Sequence, residues 1–379
     1  MKSYTTLPSL KGARVLIRVD YNVPFKPARA GGGTKIVDTR RIEASFTTIN
    51  TVLKKGGTPV LIAHLGDAHA TLRPIATYLS KVFKVVFITH DITDDGVFDI
   101  LAQVPKGTVI LLENIRRYQE EEANNLAFAK RLAKLGTFYI NDAFSVSHRK
   151  HASIVGIPKY LPSFAGAQLL EEVKALTPAV TKPAHPFLFL LGGSKFATKI
   201  PLIRRFVDTA DYVVVTGALL NSFYKTLGFE VGGSVVEDGY SKQINTLMKN
   251  PKMLLPVDVM VLRGTKKVVC TPTEVQTKDV IVDIGPQSVA LIIAKVQKAK
   301  LVVWNGPTGW YEKGFTKATT DIAKAIAGST TKAIIGGGDT GAVVEKVVGE
   351  NKKVFISTGG GAAIDFLATG TLIGIVALG

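Results

Sequence analysis

The chain has 379 residues, 46% of them hydrophobic, a single cysteine and a formal charge of +17. That length points to two domains, and that apolar content excludes wholesale disorder. One cysteine excludes an intramolecular disulfide framework and a cysteine-built zinc site, and no run approaches the ~18 apolar residues of a membrane-spanning helix. The segment MKSYTTLPSLKG lacks the apolar core of a signal peptide, so a cytoplasmic protein is expected. Strands and helices alternate from the start. RVLIRVDYNVP (14–24) begins as a strand, PARAGGGTK (27–35) reads as a loop, TRRIEASFTTINTVLKKGG as one helix closed by glycines, and TPVLIAHLG as the next strand. KVVFITH, TVILLEN and TFYINDAF continue the strand series, with the helical spacing of NNLAFAKRLAKLG between the last two. This alternation predicts a parallel sheet covered by helices.

The stretch PKYLPSFAGAQLLEEVKALTPAVTKPAHP (158–186) holds one helix, about Ala165 to Leu176, flanked by prolines. It reads as the connection between two α/β domains. Beyond it one pattern recurs: an apolar run that ends in a glycine-rich turn and leads into helical spacing. FLFLLGGSK, YVVVTGA, AIIGGGDTGA and VFISTGGGAA all follow it. In a parallel sheet ligands bind at the carboxyl ends of the strands, glycine lets backbone N–H groups approach phosphate oxygens, and the following helix N-terminus favours an anion. Four such turns predict a nucleotide site assembled from several loops. No G-x-x-x-x-G-K-[ST] sequence occurs, so the site is not a P-loop. Cys270, in the apolar run VVC, reads as a buried structural thiol.

In the first half the polar residues gather at strand ends. Asp20 and Asn22 follow the first strand, His64 the second, Asn114 and Arg116 follow VILLE, and Asn141, Asp142, His148, Arg149 and His151 follow TFYI, while Arg41 opens a helix. In a parallel sheet these ends lie along one edge, so three arginines and several histidines face one crevice. The planar fork of arginine suits carboxylate and phosphate, which predicts a small anionic ligand. HRKH lacks a carboxylate at metal-ligand spacing. Each arginine taken singly is more often a surface charge, and the histidines read equally well as hydrogen-bonded structural residues. Two other readings stay open on these residues: a nucleotide-binding protein with a nucleic-acid role, given the charge, and a dinucleotide dehydrogenase. The second requires G-x-G-x-x-G after the first strand, where DYNVP stands instead.

Taken in order, RVLIRVDYNVP, RRIEA, IAHLG, LLENIRRYQEEEANN, YINDAFSVSHRKHAS, LGGSKFATKI, VDIGPQS, VVWNGPTGWYE, IIGGGDTGA and ISTGGGAA span nearly the whole chain. Through these segments the chain resembles the phosphoglycerate kinases. The resemblance implies two doubly wound, Rossmann-like α/β domains of parallel sheet facing across a hinged cleft. It implies a phosphoglycerate-binding domain over 1–164 with the tail from about 364 to 379, an interdomain helix over 165–177, and a nucleotide-binding domain over 178–363. The implied reaction is reversible, Mg2+-dependent phosphoryl transfer between 1,3-bisphosphoglycerate and ADP, giving 3-phosphoglycerate and ATP, by a monomer with no nucleic-acid or membrane partner. The hinges would be the proline-flanked helix and GGGAAIDFL, with the tail LIGIVALG returning to the first domain.

Matched residue by residue, Asp20, Asn22, Arg41, His64, Arg116 and Arg149 fall on substrate positions, and Arg18, His148 and His151 lie in the surrounding basic patch. Gly192, Gly193, Lys195, Lys199, Gly217, Asn305, Pro307, Glu312, Gly336, Gly337, Gly338, Asp339 and Thr340 fall on nucleotide positions, with Asp339 toward Mg2+ and Glu312 toward the ribose. Arg41, Lys195 and the Gly359, Gly360 and Gly361 amides would meet the transferring group. The chain departs from the family pattern at Asp67, where an arginine usually stands, at Thr198, often an aspartate, and at Thr216, usually a glycine.

Overall fold

The computed structural model describes residues 1–27 and 34–379, so most of the expected loop over 27–35 lies outside the described residues. The chain divides into two compact units, Met1–Lys174 with Thr371–Gly379, and Ala175–Gly370. Among the described residues no helix is long and apolar enough to cross a membrane.

The strands of the first unit are β1 (Arg14–Arg18), β2 (Phe25–Pro27), β3 (Thr34–Ile36), β4 (Thr58–Ile62), β5 (Val85–Ile88), β6 (Val109–Leu112), β7 (Phe138–Asn141) and β8 (Ser163–Ala165). β2 and β3 pair as a small antiparallel ribbon. The other six form one sheet in the order β5-β6-β4-β1-β7-β8, every pair parallel. A parallel sheet is covered on both faces, which is why β1, β4 and β6 read as apolar runs: Val15, Leu16, Ile17, Val60, Leu61, Ile110 and Leu111 are fully buried. The chain runs outward from β1 in both directions, so the carboxyl ends of β1 and β7 flank a topological switch point, where open α/β sheets bind ligands.

The segment expected as one helix after the ribbon is two, Arg40–Glu43 and Phe46–Lys54. The break falls at Ser45, whose hydroxyl donates to the Ile42 carbonyl at 2.7 Å and meets the Tyr21 hydroxyl at 2.9 Å. A serine side chain that binds the backbone competes with the helical ladder. Asn125 caps the Leu126–Ala133 helix by accepting from the Phe128 amide at 3.0 Å. The connecting helix is longer than expected, Ala167–Thr181, because Pro178 is accommodated near its end. Its first amides are held by the first unit: Ala167 donates to Thr48 Oγ1 and Gln168 to Asp142 Oδ1. The terminal segment packs on that unit too, with the Gly374 amide bound to the Ser147 carbonyl at 2.8 Å and Ala377 against Val146 and Ile154.

Burial pushes the Asp142 carboxyl up to about 6. A carboxyl raised in the folded state contributes stability that is complete below its unfolded pKa near 3.8 and is lost as pH rises through about 6. The expected result is that Asp142→Asn flattens the pH dependence of the unfolding free energy between pH 4 and 7, by about 2–3 kcal/mol. Denaturant titrations at several pH values check this; parallel curves for the two proteins would refute it.

The second unit contains β9 (Phe187–Leu191), β10 (Tyr212–Val215), β11 (Met253–Leu254), β12 (Val259–Arg263), β13 (Lys266–Cys270), β14 (Val280–Ile284), β15 (Leu301–Asn305), β16 (Lys332–Gly336) and β17 (Val354–Ile356). Six form a parallel sheet in the order β11-β10-β9-β15-β16-β17. β12, β13 and β14 make a separate antiparallel sheet. Cys270 is buried at the end of β13, where desolvation raises its thiol pKa. Here the switch point lies between the neighbouring strands β9 and β15. Trp304 anchors the core beside it, fully buried with its indole N–H donating to the Gly306 carbonyl at 2.7 Å.

Candidate functional site

Two groups of polar residues occupy the two switch points. In the first unit Asp20, just past β1, orders its neighbours. Its carboxylate lies 3.0 Å from the Arg41 guanidinium and accepts from the Ser145 hydroxyl at 2.6 Å and the Asn22 amide at 3.1 Å. Arg41 also donates to the Asn22 carbonyl, and Asn22 Oδ1 accepts from the Gly66 amide at 3.1 Å. Arg116 donates to the Gly66 carbonyl and lies 3.3 Å from Glu122. Asp20, Asn22, Arg41 and Arg116 are thus wired together through the loop after β4. His64 and Arg149 join them electrostatically: burial lowers the His64 pKa far below its ordinary value, and Arg18, Arg116 and Arg149 lower it further. Burial with Arg18 and Arg149 likewise lowers His151, to about 4. Both imidazoles are therefore neutral near pH 7, and the positive charge of the cluster is carried by guanidinium groups.

Asn114, outside the residues matched to the substrate, holds the geometry of this loop. Its Nδ2 donates to the carbonyls of Leu65, Asp67 and Ala70 at 2.8–2.9 Å, and its Oδ1 accepts from the Leu65 and Arg116 amides. Asp67 is exposed there and caps the local turn by accepting from the His69 amide at 2.9 Å. The departure from arginine thus leaves a self-contained turn.

In the second unit glycines let the backbone strand ends touch. A Cβ on Gly192 would stand 2.1 Å from the Pro307 carbonyl oxygen, and one on Gly217 2.6 Å from the Gly193 nitrogen. The N–H groups of these turns are engaged within the protein. Gly192 donates to the Asn305 carbonyl, Gly193 to Pro307 and Gly217 to Thr308. These three glycines therefore shape the site by close approach, whereas the sequence pattern suggests N–H groups open to phosphate. Helix-opening amides are found elsewhere, at Gly338, Asp339 and Thr340 in the first turn of Gly338–Val348, and at Gly361, preceded by Gly360, in Gly361–Thr369. Gly359 donates to Ser357 Oγ at 3.1 Å.

A cavity of about 420 Å³ opens beside these turns, lined by Gly193, Gly217, Leu220, Val235, Ile281, Asp283, Pro307, Trp310, Glu312 and Asp339, among others. Its apolar walls with carboxylates among the lining residues suit a flat ring bearing a polar tail. Asp339 has its pKa raised by desolvation and by the neighbouring Glu312 carboxylate. A second cluster lies at the ends of β9, β15 and β16. The buried Lys199 ammonium donates to Asn305 Oδ1, and burial lowers its pKa to about 8. Asn305 Nδ2 and Thr340 Oγ1 are both buried without a hydrogen-bond partner among the described residues. Gly336 leaves the room that the Asn305 amide occupies, since a Cβ there would stand 2.6 Å from Nδ2. Two unpartnered donors beside a desolvated cation are costly, at about 1–3 kcal/mol for each unmade hydrogen bond, unless an anion completes them. Lys195 is exposed at the opening of Phe196–Thr209. Thr198 donates back to its carbonyl at 2.9 Å, and the buried Thr216 hydroxyl donates to the Leu191 carbonyl.

Among the described residues no three His, Cys, Asp or Glu side chains gather as a metal cluster. Asp339 is the carboxylate beside the Thr340 hydroxyl that lacks a partner. One carboxylate fits a hard divalent ion whose remaining ligands are phosphate oxygens and water, the usual situation of Mg2+ with a nucleotide.

The geometry defines an α/β protein with a cluster suited to a small anion in one unit and a cavity suited to a nucleotide in the other. The sequence pattern of the family described as "Phosphoglycerate kinase" matches residues 5–370. A phosphoglycerate kinase of Dictyoglomus turgidum is 38% identical over 388 residues, covering 97% of this chain and 96% of that relative. The cytosolic phosphoglycerate kinase of Triticum aestivum is 38% identical over 389 residues, with the same coverage. Among solved structures, phosphoglycerate kinase from Coxiella burnetii superposes with a TM-score of 0.85 at 33% identity, covering 99% of this chain and 97% of that one. The enzyme from Pyrococcus horikoshii gives 0.84 at 26% identity, covering 100% and 98%. The chain belongs to the phosphoglycerate kinase family, phosphotransferases with a carboxyl group as acceptor.

Proposed function

We propose that the chain catalyses reversible, Mg2+-dependent phosphoryl transfer between 1,3-bisphosphoglycerate and ADP, giving 3-phosphoglycerate and ATP. The observation that carries this reading is the buried polar set in the second unit, Lys199 on Asn305 with the unpartnered Asn305 Nδ2 and Thr340 Oγ1, in a chain whose first unit gathers guanidinium groups at its own switch point. Neither acceptor in this reaction needs a general base: one is an ionised phosphate oxygen, the other a carboxylate. The work is positioning and charge neutralisation, which suits a site of Arg, Lys, Gly and Asn.

In this reading Arg116 and Arg149 hold the anionic end of the phosphoglycerate, Asp20 and Asn22 bind its hydroxyl, and His64 donates a neutral hydrogen bond. Arg41 holds the carboxyl oxygen at the reacting end. In the second unit the cavity takes the base, Glu312 accepts from the ribose, and Lys199, Asn305 and the Gly338–Thr340 turn hold the phosphates. Lys195 and the amides at Gly360 and Gly361 stabilise the oxygens of the transferring group. Asp339 would hold Mg2+, which when bound neutralises phosphate charge. The Ala167–Thr181 helix and the chain around Gly361–Thr369 are the proposed hinges for a closure that brings the two ligands together and excludes water from the acyl phosphate. We take the protein to act in the cytoplasm as a monomer, without nucleic acid or membrane; the wheat and Arabidopsis thaliana relatives are named cytosolic.

The test is steady-state ADP formation from ATP, Mg2+ and 3-phosphoglycerate. Arg149→Ala is expected to raise KM for 3-phosphoglycerate about tenfold or more, the loss of one charge-assisted contact, with KM for ATP unchanged. Glu312→Ala is expected to do the reverse. Equal changes in both KM values in each variant would refute the division of labour between the units.

A further inference from the structure

Beneath the basic cluster a buried chain of hydrogen bonds links Glu121, Ser153, Arg18 and His64. Glu121, fully buried, accepts at Oε2 from the Ser153 amide at 2.8 Å and at Oε1 from the Ser153 hydroxyl at 2.5 Å. The same hydroxyl accepts from Arg18 Nε at 2.9 Å. Arg18 NH1 donates to the Val19 carbonyl, and its NH2 lies 3.1 Å from His64 Nδ1. Tyr139 braces the turn by donating to the Ser153 carbonyl at 2.6 Å. A guanidinium has only donors, so all three of its partners here must accept. The serine proton is therefore directed at Glu121, and Nδ1 of His64 carries a lone pair. The single ring proton of a neutral imidazole is then on Nε2.

We propose that Glu121 is a positioning residue: acting through Ser153 and Arg18, it fixes His64 as the Nε2–H tautomer and so keeps that nitrogen as a hydrogen-bond donor for the anionic substrate. The proposal rests on the reading of His64 as a substrate contact. Glu121 is far in sequence from Ser153, Arg18 and His64; its cationic neighbour is Arg18, and the neutral His151 ring lies 3.7 Å away at Nδ1. Arg18, Arg116, Arg149 and His151 are the charged or titratable groups that act on His64, and each disfavours a second proton on the ring. Burial raises the Glu121 pKa, while the Arg18 guanidinium and the two Ser153 hydrogen bonds favour its carboxylate, which in turn offsets the buried Arg18 charge; the serine between them transmits orientation without adding charge. The logic parallels that of metal-ligating histidines, whose tautomer is set by the group that engages the other ring nitrogen, although here that nitrogen accepts.

The first test needs no substrate. Nitrogen NMR of the native, histidine-labelled chain at pH 7, with His64 assigned by its loss in His64→Gln, is expected to show Nε2 protonated and Nδ1 bare. A proton on Nδ1, or on both, overturns the proposal. In Ser153→Ala the bridge is gone. The Nε2–H form is then expected to be mixed with the other tautomer, and calorimetric affinity for 3-phosphoglycerate to fall about 10–100-fold, as for other outer-shell partners, with ATP affinity unchanged. Ser153→Thr, which restores the hydroxyl, should recover both. Glu121→Gln cannot accept from both the Ser153 amide and hydroxyl and should reproduce Ser153→Ala. Folded variants that keep the native tautomer and the native affinity for 3-phosphoglycerate also overturn the proposal. If a variant does not fold, the native tautomer still decides. Absence of turnover by the native chain would count against the proposed function alone, because neither the NMR nor the calorimetry requires it.

Discussion

Lys195→Ala is expected to lower kcat by about 10²–10³-fold, the usual consequence of removing one preorganised donor from a developing negative charge. The variant should fold as the native chain does, because Lys195 is exposed at the mouth of its helix and is no part of the buried core. Lys199, one turn along the same helix, provides the contrast. Its ammonium is buried against Asn305, so changing it alters both the packing and the proposed nucleotide site. A loss in kcat for Lys195→Ala with unchanged unfolding, and with KM for ATP changed far less than kcat, is the signature of a group that acts in the transition state. If kcat stays within a factor of about three, the role of Lys195 is wrong, since such a change is well under 1 kcal/mol of barrier.

The second large effect is structural. Gly306 has φ of +91° and approaches the facing strand end so closely that a Cβ would stand 2.2 Å from the Gly192 carbonyl oxygen. Gly306→Ala therefore combines an unfavourable backbone conformation with a clash against backbone that cannot move without separating β9 from β15. The expected cost is about 4 kcal/mol or more, against about 1 kcal/mol for Gly314→Ala. Gly314 has φ of +80°, but a methyl group there would meet nothing within 4 Å. Both glycines have a positive φ in the same range, so the difference reports mainly the close approach at the switch point. Denaturant unfolding of the two variants measures it; equal costs would mean that the strand ends are free to separate.

Much of this is legible in the sequence because it is local. The apolar runs of β1, β4 and β6 mark buried parallel strands, and polar residues placed just beyond them reach one edge of the sheet as expected. The glycine turns of the second half fall at strand ends for the same reason, although Gly192, Gly193 and Gly217 serve close packing where open amides are expected. The break at Ser45 is hidden because the pattern of apolar residues continues across it, and only the fold brings Tyr21 to that hydroxyl. The β12–β14 sheet is not legible because KKVVC is too short and too charged to signal a strand alone; its partners give it that form. Least legible are the tertiary polar contacts. Nothing near Glu121 in the sequence announces Ser153, Arg18 or His64, and the unpartnered Asn305 and Thr340 atoms exist only once β15 and β16 lie side by side.

The proposed function turns on transfer of a phosphoryl group to a carboxyl oxygen of 3-phosphoglycerate. The most direct measurement is to incubate the full chain with MgATP, 3-phosphoglycerate and hydroxylamine, which traps an acyl phosphate as a stable hydroxamate. ADP and hydroxamate are expected in equal amounts, both requiring 3-phosphoglycerate and both suppressed in Lys195→Ala. ADP formed without hydroxamate, or no ADP from a folded chain, would contradict it.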